Sequence, residues 1–113
     1  MSEDAGPREE ACFEAGIKLG ALYHQFVGTP VNESSVGSLE TAIEEAVGAQ
    51  RYVREASVSI EGVEHNRFEY DELEGTMLDI SLVIEKDGVV VEAGMDEQDG
   101  YPMMRVDSVD DDV

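Results

Sequence analysis

Residues 78–91 read Leu-Asp-Ile-Ser-Leu-Val-Ile-Glu-Lys-Asp-Gly-Val-Val-Val, a stretch that predicts two strands and the turn between them. Alternation of apolar with mostly polar side chains over its first half is typical of a strand with one face on a core and the other in water. The alternating apolar positions are Leu78, Ile80, Leu82 and Ile84. The Asp87-Gly88 pair then favours the tight turn of an antiparallel hairpin.

The neighbouring segments extend this sheet. Residues 52–61 alternate in the same way, with Ala56, Val58 and Ile60 on one face, and predict a further strand. A last short strand is expected over residues 103–106. Periodicity leaves the segment 64–75 open between a short helix and a loop.

Two helices are expected before the strands. The first covers residues 8–27, where side chains recur at three- and four-residue intervals: Phe13, Ile17, Gly20, Ala21, His24 and Val27. The second covers residues 38–48, with Ser38 as N-cap and one face made of Leu39, Ala42, Ile43, Ala46 and Val47, opposite Glu40, Glu44 and Glu45. Helices early and strands late predict an α+β fold, with two N-terminal helices followed by a mainly antiparallel sheet.

The length and charge of the chain limit the functions that it can have. The 113 residues have room for one domain, residues 1–113, whose ends over 1–7 and 107–113 are expected to be frayed. Twenty-seven acids against seven Lys and Arg give a net charge of −20, which excludes a basic nucleic-acid or membrane-binding face. No apolar run is long enough for a membrane span, and the acidic start is unlike a signal peptide. We therefore expect a cytoplasmic protein without nucleic-acid or membrane partners.

The inventory of ligand side chains is small. One cysteine, Cys12, cannot form an internal disulfide, and one thiol with His24 and His65 is too little for a structural zinc site. His65, which lies among several glutamates, is assigned to the solvated surface. No phosphate-binding loop or nucleophile motif is present, so neither a metal nor another cofactor is expected.

The first predicted helix carries an unusual run at residues 14–30. Gly16 and Gly20 each reduce helix stability by roughly 1 kcal/mol relative to alanine, which suggests close packing against another helix or subunit. This run, together with Gln50 and the segment 99–102 (Asp-Gly-Tyr-Pro), resembles the archaeal-type dihydroneopterin aldolases of the methanopterin pathway. The resemblance extends from about residue 8 to residue 106, and the stretch 19–25 is its most specific part.

The resemblance implies a small α+β homotetramer that cleaves 7,8-dihydroneopterin into 6-hydroxymethyl-7,8-dihydropterin and glycolaldehyde. The positions that match the functional residues of that family are Glu14, His24, Gln50 and Tyr101. A carboxylate such as Glu14 suits the two adjacent N–H donors of the pterin edge, and Gln50 could add an amide contact. Tyr101 and His24 are the candidates for proton transfer.

Each candidate also has a simpler interpretation. Without the resemblance, Glu14 would be one more exposed acid, Gln50 a solvated loop residue and His24 a residue stabilised by the helix dipole. Tyr101, placed in a loop, could equally be an aromatic plug that closes the core. A non-catalytic acidic interaction protein and a pterin-binding or epimerase-like relative are the competing functions.

Retro-aldol cleavage needs an electron sink, which aldolases usually provide as a lysine Schiff base or a divalent metal. Neither Lys18 nor Lys86 has an obvious pocket in the sequence pattern. The C=N bond of dihydroneopterin can itself accept the electrons, and the strong negative charge favours the unphosphorylated substrate. Glu14 and His24 lie roughly 15 Å apart along one helix, so a pocket that uses both is expected to be shared between subunits.

Overall fold

The fold is described by a computed structural model that covers residues 5–66 and 68–111. Its elements are α1 (Pro7–Phe26), β1 (Pro30–Val31), α2 (Val36–Gly48), β2 (Val53–Ile60), β3 (Asp71–Glu72), a single 3₁₀ turn (Gly75–Met77), β4 (Leu78–Lys86), β5 (Val89–Gln98) and β6 (Tyr101–Asp110). The α+β prediction, with two helices before a mainly antiparallel sheet, is confirmed.

The main sheet has the strand order β2-β4-β5-β6, and every neighbouring pair is antiparallel. The predicted hairpin between β4 and β5 is confirmed, with φ angles of 52° at Asp87 and 82° at Gly88. Asp99 and Gly100 repeat this turn with φ angles of 52° and 80°, and so join β5 to β6. This second turn makes both strands longer than the sequence predicted.

The long β6 corrects two expectations. Tyr101 does not lie in a loop, because it is the first residue of β6 and pairs with Gln98. Residues 107–110 are not a frayed tail, because Asp110 still pairs with Val90. Edge-strand residues exposed on most sides carry little apolar periodicity, so the acidic sequence concealed the strand. Pro7, also expected to be frayed, begins α1, while residues 1–4 and 112–113 lie outside the described residues.

One hydrophobic core lies between the helices and one face of the sheet. The alternating residues of β4 and β5 supply the largest share of it, as predicted for the first strand. The buried side chains of these two strands are Leu78, Ile80, Leu82, Ile84, Val89, Val91, Ala93 and Met95. Val58 and Ile60 extend the core onto β2.

Helix α1 turns a different face to the core from the one that its pattern suggested. Its buried side chains are Ala11, Ala15, Lys18, Leu19 and Leu22. Phe13 and Ile17, which led the expected stripe, are 72% and 43% exposed. Small alanines let the helix backbone approach the sheet closely, and this packing prevails over the larger side chains on the other face.

Helix α2 begins at Val36, so Ser38 is not its N-cap. The chain is turned into the helix by Asn32, whose buried side-chain oxygen accepts hydrogen bonds from the backbone N–H groups of Ser34 and Ser35. Glu40 and Glu44, expected to face solvent, instead accept hydrogen bonds from backbone N–H groups of β2. The bonds are 2.8 Å long and come from Ile60 and Val58. The two carboxylates thereby cover the outer edge of β2.

The segment 64–75, left open between helix and loop, is mostly irregular in its described residues. Asp71 and Glu72 form the short β3, which pairs with β1, and Gly75 begins the 3₁₀ turn. Across residues 5–66 and 68–111, no helix is both long and apolar enough to pass through a bilayer.

Candidate active site

Glu14 lies on one flank of α1, beside the core. Its side chain is 22% exposed, and its Oε1 accepts a hydrogen bond of 2.7 Å from the ammonium of Lys18, one turn further along the helix. Lys18 is buried, although the sequence pattern suggested no pocket for it. The carboxylate is therefore held at the boundary between core and solvent, and is not one of the freely exposed acids of the helix.

Gln50 lies in the tight turn that follows α2. Its backbone N–H donates to the carbonyl of Val47, and its own carbonyl accepts from Val53. The turn passes through Tyr52, whose φ angle of 71° is rare for a residue other than glycine. The ammonium of Lys18 lies 5.7 Å from the centre of the Tyr52 ring. This contact brings the turn that carries Gln50 against the part of α1 that carries Glu14.

Two further cationic side chains contact the Tyr52 ring. Arg51 lies 5.0 Å and Lys86 5.4 Å from its centre. Lys86 also forms ion pairs of 2.9 Å with Glu10 and 3.0 Å with Asp87, and these hydrogen bonds raise the pKa of its ammonium above the ordinary value. In a chain with only seven Lys and Arg, three of them meet at one aromatic ring.

Tyr101 belongs to a second region, at the start of β6. Its side chain is 61% exposed, so it is not an aromatic plug in the core of this chain. It lines a groove of about 440 Å³ together with Tyr23, Pro102, Met103 and Met104. The groove is mainly apolar and open to solvent, and the phenols of Tyr23 and Tyr101 are its hydroxyl-bearing side chains.

His24 lies in the last turn of α1 and is exposed. It is not a wall of the Tyr101 groove, but its neighbour Tyr23 is. At 100° per residue, His24 projects from the same outward side of the helix as Phe13 and Ile17. His24 therefore belongs to an exposed, partly apolar helix face.

The four candidate residues are not gathered into one pocket by a single chain. Glu14 and Tyr23 are nine residues apart on α1, which places them about 180° apart around the helix axis. The Glu14 flank faces Lys86 and Tyr52, whereas the Tyr23 flank faces β6. Glu14 and Gln50 thus lie on one side of α1, and the Tyr101 groove lies on the other.

Comparison with known proteins identifies the family of this chain. The family model described as dihydroneopterin aldolase matches residues 6–107. The chain belongs to the dihydroneopterin aldolase family. Among its relatives are two archaeal proteins named dihydroneopterin aldolase. One, from Picrophilus torridus, is 35% identical over 100 residues, which cover 85% of this chain and 83% of that protein.

The second relative, from Methanopyrus kandleri, is 36% identical over 107 residues, which cover 90% of this chain and 88% of that protein. The fold is shared as well. A crystal structure of a protein from Picrophilus torridus matches with a TM-score of 0.86 at 33% identity, covering 92% of this chain and 89% of that one. The resemblance that the sequence suggested is confirmed at the level of family and fold.

Tyr23 lines the Tyr101 groove of this dihydroneopterin aldolase family member, although the sequence analysis did not select it as a site residue. Its ring packs against Gly75 so closely that a Cβ added at this glycine would clash with the ring. Gly75 thus lets Tyr23 reach the groove wall. The sequence held one signal for this position, because Tyr23 follows the buried Leu19 by four residues and shares that side of the helix.

His65, assigned to the solvated surface, is only half-exposed and has a specific partner. Its Nδ1 lies 2.8 Å from a carboxylate oxygen of Asp71. The hydrogen bond and the charge of Asp71 raise the pKa of His65 above 6.5. The pKa of Asp71 is lowered, mainly because its carboxylate accepts hydrogen bonds from the backbone N–H groups of His65 and Glu64. The pair fastens the irregular segment to β3.

Proposed function

We propose that this protein is a dihydroneopterin aldolase, which converts 7,8-dihydroneopterin into 6-hydroxymethyl-7,8-dihydropterin and glycolaldehyde. The observation that carries the proposal is the position of the Glu14 carboxylate, which Lys18 holds by one oxygen at the edge of the core. The chain that contains it matches the family over nearly its whole length. The family resemblance further supports a place in tetrahydromethanopterin biosynthesis in the cytoplasm.

In this proposal Glu14 anchors the pterin. The amino-pyrimidine edge offers two adjacent N–H donors, and an ionised carboxylate accepts two such bonds in a fork geometry. Gln50 adds an amide contact from the neighbouring turn, whose position beside the Glu14 flank supports this role. The unphosphorylated substrate is preferred, since a net charge of −20 opposes the entry of a phosphate.

The chemistry proceeds without a metal or a Schiff base. A base takes the proton of the 2′-hydroxyl, the C1′–C2′ bond breaks, and its electrons move into the ring C6=N5 bond to form an enamine. N5 takes up a proton as the enamine forms and gives it back when C1′ is protonated. The substrate therefore carries its own electron sink, and the protein has only to bind, orient and move protons.

Tyr101 and His24 carry out the proton transfers, directly or through a bound water. A phenol with an ordinary pKa near 10 serves more readily as an acid or through water than as a free base. The position of Tyr101 in an open groove supports its access to a ligand. His24 is also accessible, on the outward face of α1.

The complete pocket forms between subunits of a homotetramer, so that one chain contributes Glu14 and a neighbour contributes His24 or Tyr101. The opposite placement of Glu14 and the Tyr101 groove around α1 supports this arrangement. So does the outward face of α1, where Phe13 and Ile17 are exposed. Apart from the surrounding backbone of α1, a Cβ built at Gly16 or Gly20 meets no heavy atom within 4 Å in the described chain, which leaves the glycines for contact with another subunit.

The test is incubation of the purified protein with 7,8-dihydroneopterin and a chelator, followed by measurement of glycolaldehyde. Product formed under these conditions supports the metal-free aldolase, and its loss in Glu14→Gln supports the anchor. Activity that returns only with a divalent ion would overturn the mechanism but keep the substrate. An acidic interaction protein would form no glycolaldehyde and would be indifferent to Glu14→Gln, while a pterin-binding or epimerase-like relative would bind the pterin without releasing the aldehyde.

A further inference from the structure

Lys18 is a buried cation that the proposed reaction does not use. The residue is 6% exposed, and Lys18 and Asn32 are the only polar residues in the buried set of the described chain. Removing an ammonium from water is costly unless it is paired. Its Nζ donates to Oε1 of Glu14 at 2.7 Å and faces the ring of Tyr52.

The partner carboxylate is held asymmetrically. Oε1 of Glu14 receives the lysine, while Oε2 has no hydrogen bond to any other group in residues 5–66 and 68–111. The Glu14 side chain is 22% exposed, compared with 7% for that of Lys18, so the pair has its cation inside and its carboxylate at the surface. A glutamate four residues before a lysine is also the better orientation for such a pair on a helix.

We propose that Lys18 is a positioning residue for pterin binding, which fixes the rotamer of Glu14 so that Oε2 points outward toward the ligand. This inference rests on the proposed role of Glu14 as the pterin anchor. Each carboxylate oxygen has two acceptor sites, so Oε1 can keep its lysine and still accept from the pterin edge. A carboxylate held in place loses less conformational freedom on binding than a free one.

Lys86 provides a matched control on the same ring. It approaches Tyr52 to 5.4 Å, as Lys18 does to 5.7 Å, and its side chain is 14% exposed. Its ion pairs are with Glu10 and Asp87 and not with Glu14. Replacing either lysine with methionine removes one positive charge and one cation–π contact, but only Lys18→Met releases the carboxylate of Glu14.

The experiment measures the affinity for 6-hydroxymethyl-7,8-dihydropterin by fluorescence titration, and kcat and KM for 7,8-dihydroneopterin. Lys18→Met is expected to weaken pterin binding and raise KM by roughly ten-fold, with kcat changed less than two-fold, since ground-state and transition-state binding are lost equally. Lys86→Met is expected to leave both values within two-fold of the unmodified protein. Lys18→Arg keeps the positive charge and should therefore retain most of the pterin affinity. It is the variant to measure if Lys18→Met does not fold.

Two further variants separate this inference from the proposed function. If Glu14→Gln binds the pterin like the unmodified protein, the anchor role itself is wrong. If Glu14→Gln loses affinity while Lys18→Met does not, only the positioning role is overturned. Because Lys18 acts through Glu14, adding Lys18→Met to Glu14→Gln should weaken binding no further. A collapse of kcat at unchanged KM, or a borohydride-trapped substrate adduct on Lys18, would overturn the inference by making Lys18 a catalytic residue.

Discussion

A pocket shared between subunits predicts that two inactive variants restore each other. Glu14→Gln removes the pterin anchor and Tyr101→Phe removes the phenol hydroxyl, so each variant alone should have little activity. Glu14 lies on the opposite flank of α1 from the groove that contains Tyr101. One chain can therefore lose its anchor and still give an intact Tyr101 to the site of its neighbour.

The size of the effect follows from the geometry. In a randomly mixed oligomer with equal amounts of the two variants, a shared site is intact when the chain on one side has Glu14 and the chain on the other has Tyr101. Each condition holds with a chance of one half, so about one quarter of the sites regain both residues. Mixing should then restore glycolaldehyde release to about one quarter of the unmodified rate.

The assay mixes the two variants, exchanges subunits by unfolding and refolding together, and measures glycolaldehyde from 7,8-dihydroneopterin. Variants of different mass, identified by native mass spectrometry, prove that mixed oligomers have formed. Each variant put through the same cycle alone is the control. Mixed oligomers without recovered activity would refute a pocket that takes Glu14 and Tyr101 from different subunits, because both residues would then serve a site within one chain.

Three more predictions concern stability. Glu44→Ala removes a charge-assisted hydrogen bond of 2.8 Å to β2 and should lower the free energy of unfolding by about 1.5 kcal/mol in urea titrations, whereas Glu45→Ala, on the same helix but exposed, should not. The pKa of His65 is raised in the folded protein, so the proton on its ring stabilises the fold through the pair with Asp71. This contribution of His65 is complete below pH 6.5 and is lost as the pH rises through the folded pKa of His65. NMR titration should find the His65 pKa above 6.5 and lowered in Asp71→Asn; an unchanged value would contradict the pair. Raising NaCl from 0.1 to 1 M should increase the urea midpoint, since the Debye length falls from about 10 to about 3 Å and screens the repulsion among 27 acids.

The sequence predicted the helices and strands that have a strong apolar periodicity and bury only one face. The alternation from Leu78 to Ile84 and the Asp87-Gly88 turn led directly to the central hairpin. β6 was underestimated because an edge strand exposed on most sides has no need of an apolar alternation. The pattern of α1 indicates the wrong core face because alanines at 11 and 15 give a weaker signal than Phe13 and Ile17.

The candidate site was less accessible to sequence reasoning. Family resemblance is what points to Glu14, His24, Gln50 and Tyr101, and their chemistry remains a prediction. No periodicity shows that Lys18 is buried or that Glu40 and Glu44 bind the backbone of β2, because those roles depend on tertiary packing between distant segments. The position of Tyr23 similarly depends on Gly75, more than fifty residues away.

The glutamates of α2 also restrict how chains of this protein can assemble. Because Glu40 and Glu44 already accept hydrogen bonds from two backbone N–H groups of β2, β6 is the more open end of the main sheet in the described chain. Two copies joined there would each present a β2 end to the outside, and the combined sheet would stop growing. Strand addition at β6 alone would therefore yield a finite pair, whereas an open-ended fibre would also need the β2 edge.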